Sequence, residues 1–337
     1  MNYEPKQSGV LSMVEGNELL TVADLKTYFP IKKGLLRRTA GFIKAVDGVS
    51  FAIEKGQTLG IVGESGCGKT TVARSIVRLV QATAGQVVFD NMDVLSADKD
   101  DLRQLRREVS IIFQDPFGSL NPRKTVGDII GEPLVVQKGI RGGVLAEQVA
   151  VLLSKVGLSP DYMDRYPHEF SGGQRQRIGV ARALSLRPKL VICDEPVSAL
   201  DVSIQSQILN LLKDLQDEFG LTYMFIAHDL AVVEFFADFV AVMYMGRIVE
   251  QAASEELYRH PIHPYTMILM QSIPKVDSKR RRIDKALFHE VPSAMNSPAG
   301  CPFHPRCPLA DGYCIEQSPP LKNIGGSAGH SVACWKY

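Results

Sequence analysis

The sequence predicts an α/β protein built on a mainly parallel sheet with helices on both faces. Two observations carry that prediction. Apolar runs of strand length alternate with stretches whose apolar residues recur at helical spacing, the pattern of β-α-β units. Some of those runs are continuous rather than alternating, such as Leu190-Val-Ile-Cys193, as strands buried on both faces are.

Taken in order, residues 1–17 are polar and unpatterned and read as a leader. Leu19–Leu25 and Ile43–Ile53 are strand-like, and the basic, Gly-containing stretch Ile31–Gly41 reads as an exposed loop between them. Thr58–Val62 is a short apolar strand. Over 69–80, Val72, Ile76, Leu79 and Val80 share one helical face. Strand Val109–Phe113 runs into the Pro/Gly-rich turn Asp115–Pro122. A helical stretch from about Thr125 to Leu186, stopped by Pro188, forms a subdomain over about 115–187. Strand Leu190–Cys193 precedes a helix with Ile204, Ile208, Leu211, Leu215 and Phe219 in phase, and strand Leu221–Ala227 follows. Val240–Met245 and Ile248 with Val249 flank Gly246 as a hairpin. Beyond residue 258 proline, histidine and cysteine become frequent, so the main domain is placed at 18–258 and a small Cys-rich extension at 259–337.

Bulk properties exclude several classes. With 45% hydrophobic and 22% charged residues and a net charge of +1, nothing favours nucleic-acid binding through bulk charge. The most apolar window, Tyr223–Met245, is crossed by His228, Asp229, Glu234 and Asp238, so it reads as buried strand, turn and helix, not a membrane span. No basic-then-apolar leader is present, which places the protein in the cytoplasm. Cys67 and Cys193 lie inside apolar motifs, whereas Cys301, Cys307, Cys314 and Cys334 gather near the C-terminus. In a reducing compartment such a group suggests a metal or cluster site more than disulfides.

Chemistry concentrates in a few segments. Gly63-Glu64-Ser65-Gly66-Cys67-Gly68-Lys69-Thr70-Thr71 fits the Walker A pattern, between a strand and a helix as that pattern requires. Its glycines let successive N–H groups face phosphate oxygens, and the helix N-terminus adds its positive end. Lys69 is expected to reach the β and γ phosphates of ATP, and Thr70 to ligate Mg²⁺. Leu190-Val-Ile-Cys-Asp194-Glu195-Pro196 fits Walker B, with Asp194 holding Mg²⁺ and Glu195 polarising the attacking water. An apolar run ending in two acids is common; its position after Walker A gives it weight.

The octet Phe170-Ser171-Gly172-Gly173-Gln174-Arg175-Gln176-Arg177 opens a helix bearing Ile178, Ala181 and Leu184, and resembles the signature of ATP-binding-cassette (ABC) ATPases. A serine-capped helix would explain Ser171 but hardly the whole octet. The resemblance extends over roughly residues 18–258. It implies a P-loop NTPase cassette with a RecA-like parallel core, an antiparallel β subdomain and an α-helical signature subdomain. Gln114 resembles the Q-loop glutamine that senses Mg²⁺, Ser198-Ala199-Leu200-Asp201 the D-loop, and His228 the switch histidine. Tyr28 aligns best with the aromatic that stacks on adenine, with Phe29 and Phe42 left open. In this family the signature faces the γ-phosphate held by another subunit, so a dimer is implied.

Segments Gln114–Pro122, Tyr166–Phe170, Asp194–Asp201 and His263-Pro-Tyr-Thr266 resemble the dipeptide/oligopeptide (and nickel) importer ATPases. The basic insertion Tyr28–Gly41 resembles the second ATPase of their heterodimeric pair. The resemblance implies a related partner ATPase, two membrane permeases, an external peptide-binding protein and a peripheral place on the cytoplasmic face of the inner membrane. The alternatives are import of nickel or another small solute, or a soluble ABC regulator without a permease. Long heptad insertions, a second cassette and fused membrane helices, marks of other ABC branches, do not occur. The four late cysteines are not spaced as paired C-x₂-C knuckles, and four thiolates suit either iron–sulfur or zinc. The family resemblance favours a [4Fe–4S] cluster on Cys301, Cys307, Cys314 and Cys334. Zn²⁺ is the alternative, with His304 as a competing ligand, and four free thiols the plain one.

Overall fold

A strand with two apolar faces has to be covered on both, and the continuous apolar runs become neighbouring parallel strands for that reason. The computed structural model describes residues 17–33, 38–198, 200–271, 298–325 and 329–337. In chain order the strands are β1 (Glu18–Lys33), β2 (Arg38–Glu54), β3 (Thr58–Val62), β4 (Ala84–Phe89), β5 (Met92–Asp93), β6 (Val109–Ile112), β7 (Leu190–Asp194), β8 (Thr222–Ala227), β9 (Phe239–Tyr244), β10 (Arg247–Ala253), β11 (Lys322–Asn323) and β12 (Ser331–Val332). The helices are α1 (Lys69–Ile76), α2 (Lys99–Glu108), α3 (Pro116–Ser119), α4 (Val126–Lys138), α5 (Gly142–Lys155), α6 (Gly172–Leu184), α7 (Val202–Phe219), α8 (Leu230–Phe236), α9 (Ser254–Arg259), α10 (Pro264–Gln271) and α11 (Gly312–Glu316).

Eight strands form one sheet in the order β11-β12-β10-β9-β3-β8-β7-β6. The five from β9 to β6 run parallel, and β10, β12 and β11 complete the edge antiparallel. Strand alternation sorts the buried side chains into two cores. Val191, Cys193, Tyr223, Phe225, Val240 and Val242 face one core, which includes the helical subdomain. Leu190, Ile192, Met224, Ile226, Ala241 and Met243 face the other, beneath α1 and the four-stranded antiparallel sheet β2-β1-β4-β5. The window Tyr223–Met245, expected as buried strand, turn and helix, holds β8, α8 and also β9. Gly60 at the centre of β3 lets α8 close down, since a Cβ there would lie 2.4 Å from Val233 Cγ1.

Several boundaries move. β1 and β2 extend into the stretch expected as loop, and 34–37 lie outside the described residues, as does the leader over 1–16. The helix expected to reach residue 80 ends at Ile76; Arg78 takes a left-handed φ of 54°, and Leu79 is 61% exposed. The long helical stretch is three helices: Gly139, at φ 69°, caps α4, and Ser171 caps α6. The described part of the region after 258 enters the same core. β12 pairs with β10 through Glu250↔Val332, and Phe303 is 1% exposed beside Tyr244 and Tyr265.

Candidate active site

The turn after β3 is forced on glycine by backbone neighbours. A Cβ at Gly63 would sit 2.1 Å from the Met243 carbonyl oxygen, and one at Gly68 2.1 Å from that of Ala45; both have φ in the range glycine tolerates, 154° and 109°. α1 starts at this turn with no side chain capping it, so its first amides remain available to an anion. Lys69 is buried, and its ammonium donates to the carbonyls of Gly63 (2.7 Å) and Glu64 (3.1 Å). It also lies 3.8 Å from Glu195 Oε1. Cys67 fills the inside of the turn, and burial pushes its thiol pKa up. Ser65 and Gly66 are exposed at the tip, and the Thr71 carbonyl accepts from Ser75 within α1.

β7 brings the acids to that turn. Thr70 Oγ1 donates to Asp194 Oδ1 at 2.8 Å. Asp194 is 3% exposed; burial raises its pKa, opposed by the Thr70 hydrogen bond. A hydroxyl and a desolvated carboxylate side by side are the donor set a hard divalent cation takes, so Thr70 and Asp194 fit Mg²⁺. Glu195 has a left-handed φ of 48°, held by its amide donating to the Ile226 carbonyl at 3.0 Å. Its Oε2 accepts from Gln114 Nε2 at 3.0 Å and lies 3.3 Å from His228 Nδ1. Backbone strain of this kind persists where surrounding structure imposes it and collects at functional sites. Ser198 Oγ donates to the Glu195 carbonyl at 3.1 Å, Ala199 lies outside the described residues, and Asp201 is exposed before α7.

The structure thus gathers Lys69, Thr70, Gln114, Asp194, Glu195 and His228. The signature does not join them: among the described residues no hydrogen bond or ion pair links Ser171, Gly172, Gly173 or Gln174 to that group. Ser171 and Gln174 instead cap each other, with Gln174 Oε1 accepting from the Ser171 amide at 3.0 Å. A Cβ at Gly173 would lie 2.6 Å from Ile204 Cγ2, so α6 packs tightly on the start of α7.

Tyr28 is anchored at its hydroxyl end. Its hydroxyl donates to Asp47, which also accepts from Arg247 Nη2 at 2.7 Å. Burial, reinforced by the Asp47 bond, pushes the Tyr28 pKa up to about 12. It lines a cavity of about 800 Å³ shared with Lys44, Arg247 and Ser318. Phe29 is 39% exposed, two positions along β1 from Thr27, whose hydroxyl meets Ser75 of α1 at 2.9 Å. A register shift between Thr27 and Tyr28 interrupts the alternation there, and Phe42 is 55% exposed opposite Pro30.

All four late cysteines are free. Burial pushes the Cys301 thiol up to about 11, with the other three thiols adding to the rise. Yet among the described residues no three His, Cys, Asp or Glu side chains form a group placed to hold a metal ion. His304 Nδ1 is instead 2.9 Å from the Cys301 carbonyl oxygen. Two contacts of the Gly-rich turn escaped the sequence reading, Tyr265 and Arg306 on Glu64. Both stand in segments singled out for other reasons, the His263–Thr266 marker and the Cys301–Cys307 interval.

Comparison with known proteins places this geometry. Residues 46–198 match the ABC transporter family, and residues 249–314 match the oligopeptide/dipeptide transporter C-terminal region. The oligopeptide transport ATP-binding protein AppF of Bacillus subtilis is 52% identical, over 95% of this chain and 97% of its own length. The dipeptide transport ATP-binding protein DppF of Escherichia coli is 47% identical, over 94% of each chain. Among solved structures, the ATP-binding cassette MJ0796, in a dimeric post-hydrolysis state bound to ADP and Pi, superposes with a TM-score of 0.62. It is 28% identical and covers 70% of this chain and 98% of its own. The ABC ATPase fold is shared with the solved cassette, and the chain belongs to the family of oligopeptide and dipeptide ABC transport ATP-binding proteins.

Proposed function

We propose that this chain is the ATP-hydrolysing motor of a peptide importer, working in an ATPase dimer on the cytoplasmic face of a membrane. The convergence of Lys69, Gln114 and His228 on the Glu195 carboxylate, beside the Thr70–Asp194 pair, carries the reading. Lys69 and the amides opening α1 receive the β and γ phosphates. Thr70 and Asp194 hold Mg²⁺, with Gln114 nearby, and the ion neutralises charge on the phosphates when bound. Glu195 takes the proton of the attacking water as general base, and His228 orients that carboxylate. Tyr28 stacks on adenine, with Phe29 and Phe42 the alternatives.

The signature turn Ser171–Gln174, which opens on the exposed Ser171, completes the site of a partner ATPase, and Ser198 and Asp201 line the seam between them. Closure around nucleotide favours the dimer, and hydrolysis releases it. Among the described residues no helix is long and apolar enough to cross a membrane. Coupling runs through two permease subunits, supplied by an external binding protein, with Phe113–Pro122 and Glu169 flanking the groove that seats the permease; the side chains of Pro116 and Phe117 lie outside the described residues. Pull-down from membranes tests this: a second ABC ATPase and two permeases with Lys69-dependent ATP hydrolysis support it, and a permease-free ATPase overturns it.

The late cysteines carry a narrower proposal, a [4Fe–4S] cluster on Cys301, Cys307, Cys314 and Cys334. Four free thiols close in sequence near the chain's end support it. Anaerobic purification with iron and sulfide analysis decides it: about four irons per chain support the cluster, while zinc or no metal removes it. Cys307→Ser is expected to abolish the metal and leave the phosphate loop able to bind nucleotide.

A further inference from the structure

Glu64 is an awkward neighbour for an anion, since it sits in the phosphate-wrapping turn and carries charge of the same sign. The structure answers that charge from far along the chain. Arg306 Nη1 and Nη2 donate to Glu64 Oε2 and Oε1, each at 2.8 Å. Two parallel bonds of this kind fix a carboxylate in direction as well as neutralising it. Arg306 is itself held firmly, with its side chain 4% exposed. Its guanidinium carbon lies 5.7 Å from the Tyr244 ring centre and 5.8 Å from that of Phe303. These rings pack against Tyr265, with centres 4.7 Å apart for Tyr244–Tyr265 and 5.5 Å for Tyr265–Phe303.

The same residue is held by its backbone. The Glu64 amide donates to Tyr265 Oη at 2.9 Å, and its carbonyl accepts from Lys69 Nζ at 3.1 Å. Tyr265 is fully buried, and its amide donates to His263 Nδ1 at 3.1 Å. Glu64 is therefore gripped at amide, carbonyl and carboxylate, and two of the three grips come from residues after 258. Both belong to the segment whose inner strand β12 closes onto β10.

We propose that Arg306 and Tyr265 are positioning residues of the nucleotide site, acting through Glu64 to keep the phosphate loop in an anion-accepting shape and charge. The proposal rests on the reading of that loop as the ATP site. It makes the docked C-terminal segment a requirement for tight nucleotide binding. A purely architectural pair would pin the segment to the domain without influencing phosphate, and charge separates the two roles.

The test uses the full-length chain titrated with the non-hydrolysed ATP analogue AMP-PNP and with ADP, both with Mg²⁺, with melting temperatures as the check on folding. Arg306→Gln leaves Glu64 uncompensated beside the phosphates and is expected to weaken AMP-PNP about ten-fold, and ADP less because it carries less charge. Adding Glu64→Gln to that variant removes the stranded charge and is expected to restore affinity to within about three-fold of wild type. Tyr265→Phe, which deletes one hydroxyl, is expected to cost about five-fold, the worth of one hydrogen bond. A folded Arg306→Gln that binds like wild type, or a double variant as weak as the single, overturns the proposal. Where Arg306→Gln fails to fold, Tyr265→Phe decides, and unchanged affinity there overturns it. Wild-type protein that does not bind AMP-PNP, or binds it equally after Lys69→Ala, sinks the ATP-site reading instead.

Discussion

Replacing Glu195 by glutamine separates chemistry from binding at the centre of the site. The two side chains have the same size, so the left-handed backbone at this position and the fit against Ile226 are kept. The charge is lost, and Lys69 at 3.8 Å loses a competitor for phosphate. The gross attraction across such a gap is about 4 kcal/mol at an effective dielectric of ~20. The Gly63 and Glu64 carbonyls keep their hold on the ammonium, so the net tightening of Mg·ATP is expected to be about ten-fold or less. Turnover loses its proton acceptor and is expected to fall by about 10²–10⁴-fold. Single-turnover phosphate release gives the rate, and nucleotide titration gives the affinity. Hydrolysis within ten-fold of wild type would refute the base assignment. ATP affinity weakened more than ten-fold would show instead that Glu195 supports the loop.

Gly68→Ala pushes a methyl to 2.1 Å from the Ala45 carbonyl, so the turn must shift; a displacement of ~1 Å is expected to weaken ATP about 100-fold, read by the same titration. Tyr28→Ala is expected to raise the ATP Kd by about 5–100-fold, the span of one base–aromatic stack, while Phe29→Ala and Phe42→Ala leave it within two-fold; the reverse order moves the stacking role to the phenylalanine whose loss weakens binding. Burial lowers the His263 pKa to about 4 from 6.5, and Nδ1 already accepts the Tyr265 amide, so the folded ring stays neutral. Its stabilising share is whole above pH 6.5 and is lost as pH falls toward 4, because the unfolded chain takes up a proton the folded chain refuses; about 3 kcal/mol rides on that interval. Urea unfolding at pH 7.5 and pH 5 checks this, since His263→Gln should flatten the difference. Gly60→Ala overpacks α8 against β3 and is expected to cost about 1–3 kcal/mol in urea unfolding, with Val233→Ala relieving it.

The sequence by itself determined the sheet and the phosphate loop, for physical reasons that are local. Glycines at 63 and 68, a strand before them and a helix after them specify one turn, and each apolar run that must be covered twice declares a buried parallel strand. Order along the chain then placed Asp194 and Glu195 at a strand end, Gln114 after another and His228 after a third. Tertiary structure alone decided which of these meet and through which atoms. Only the folded sheet puts Gln114 and His228 on the same carboxylate oxygen. The pairing of β1 with β2, which composition does not announce, brought the Tyr28 hydroxyl onto Asp47. The grip of Arg306 on Glu64 joins residues 242 positions apart, and no periodicity or spacing can announce a contact that exists because a late strand, β12, closes onto β10. Local patterns are written by neighbours a few residues away; long-range pairs are set by how the layers pack, and a single sequence does not print that.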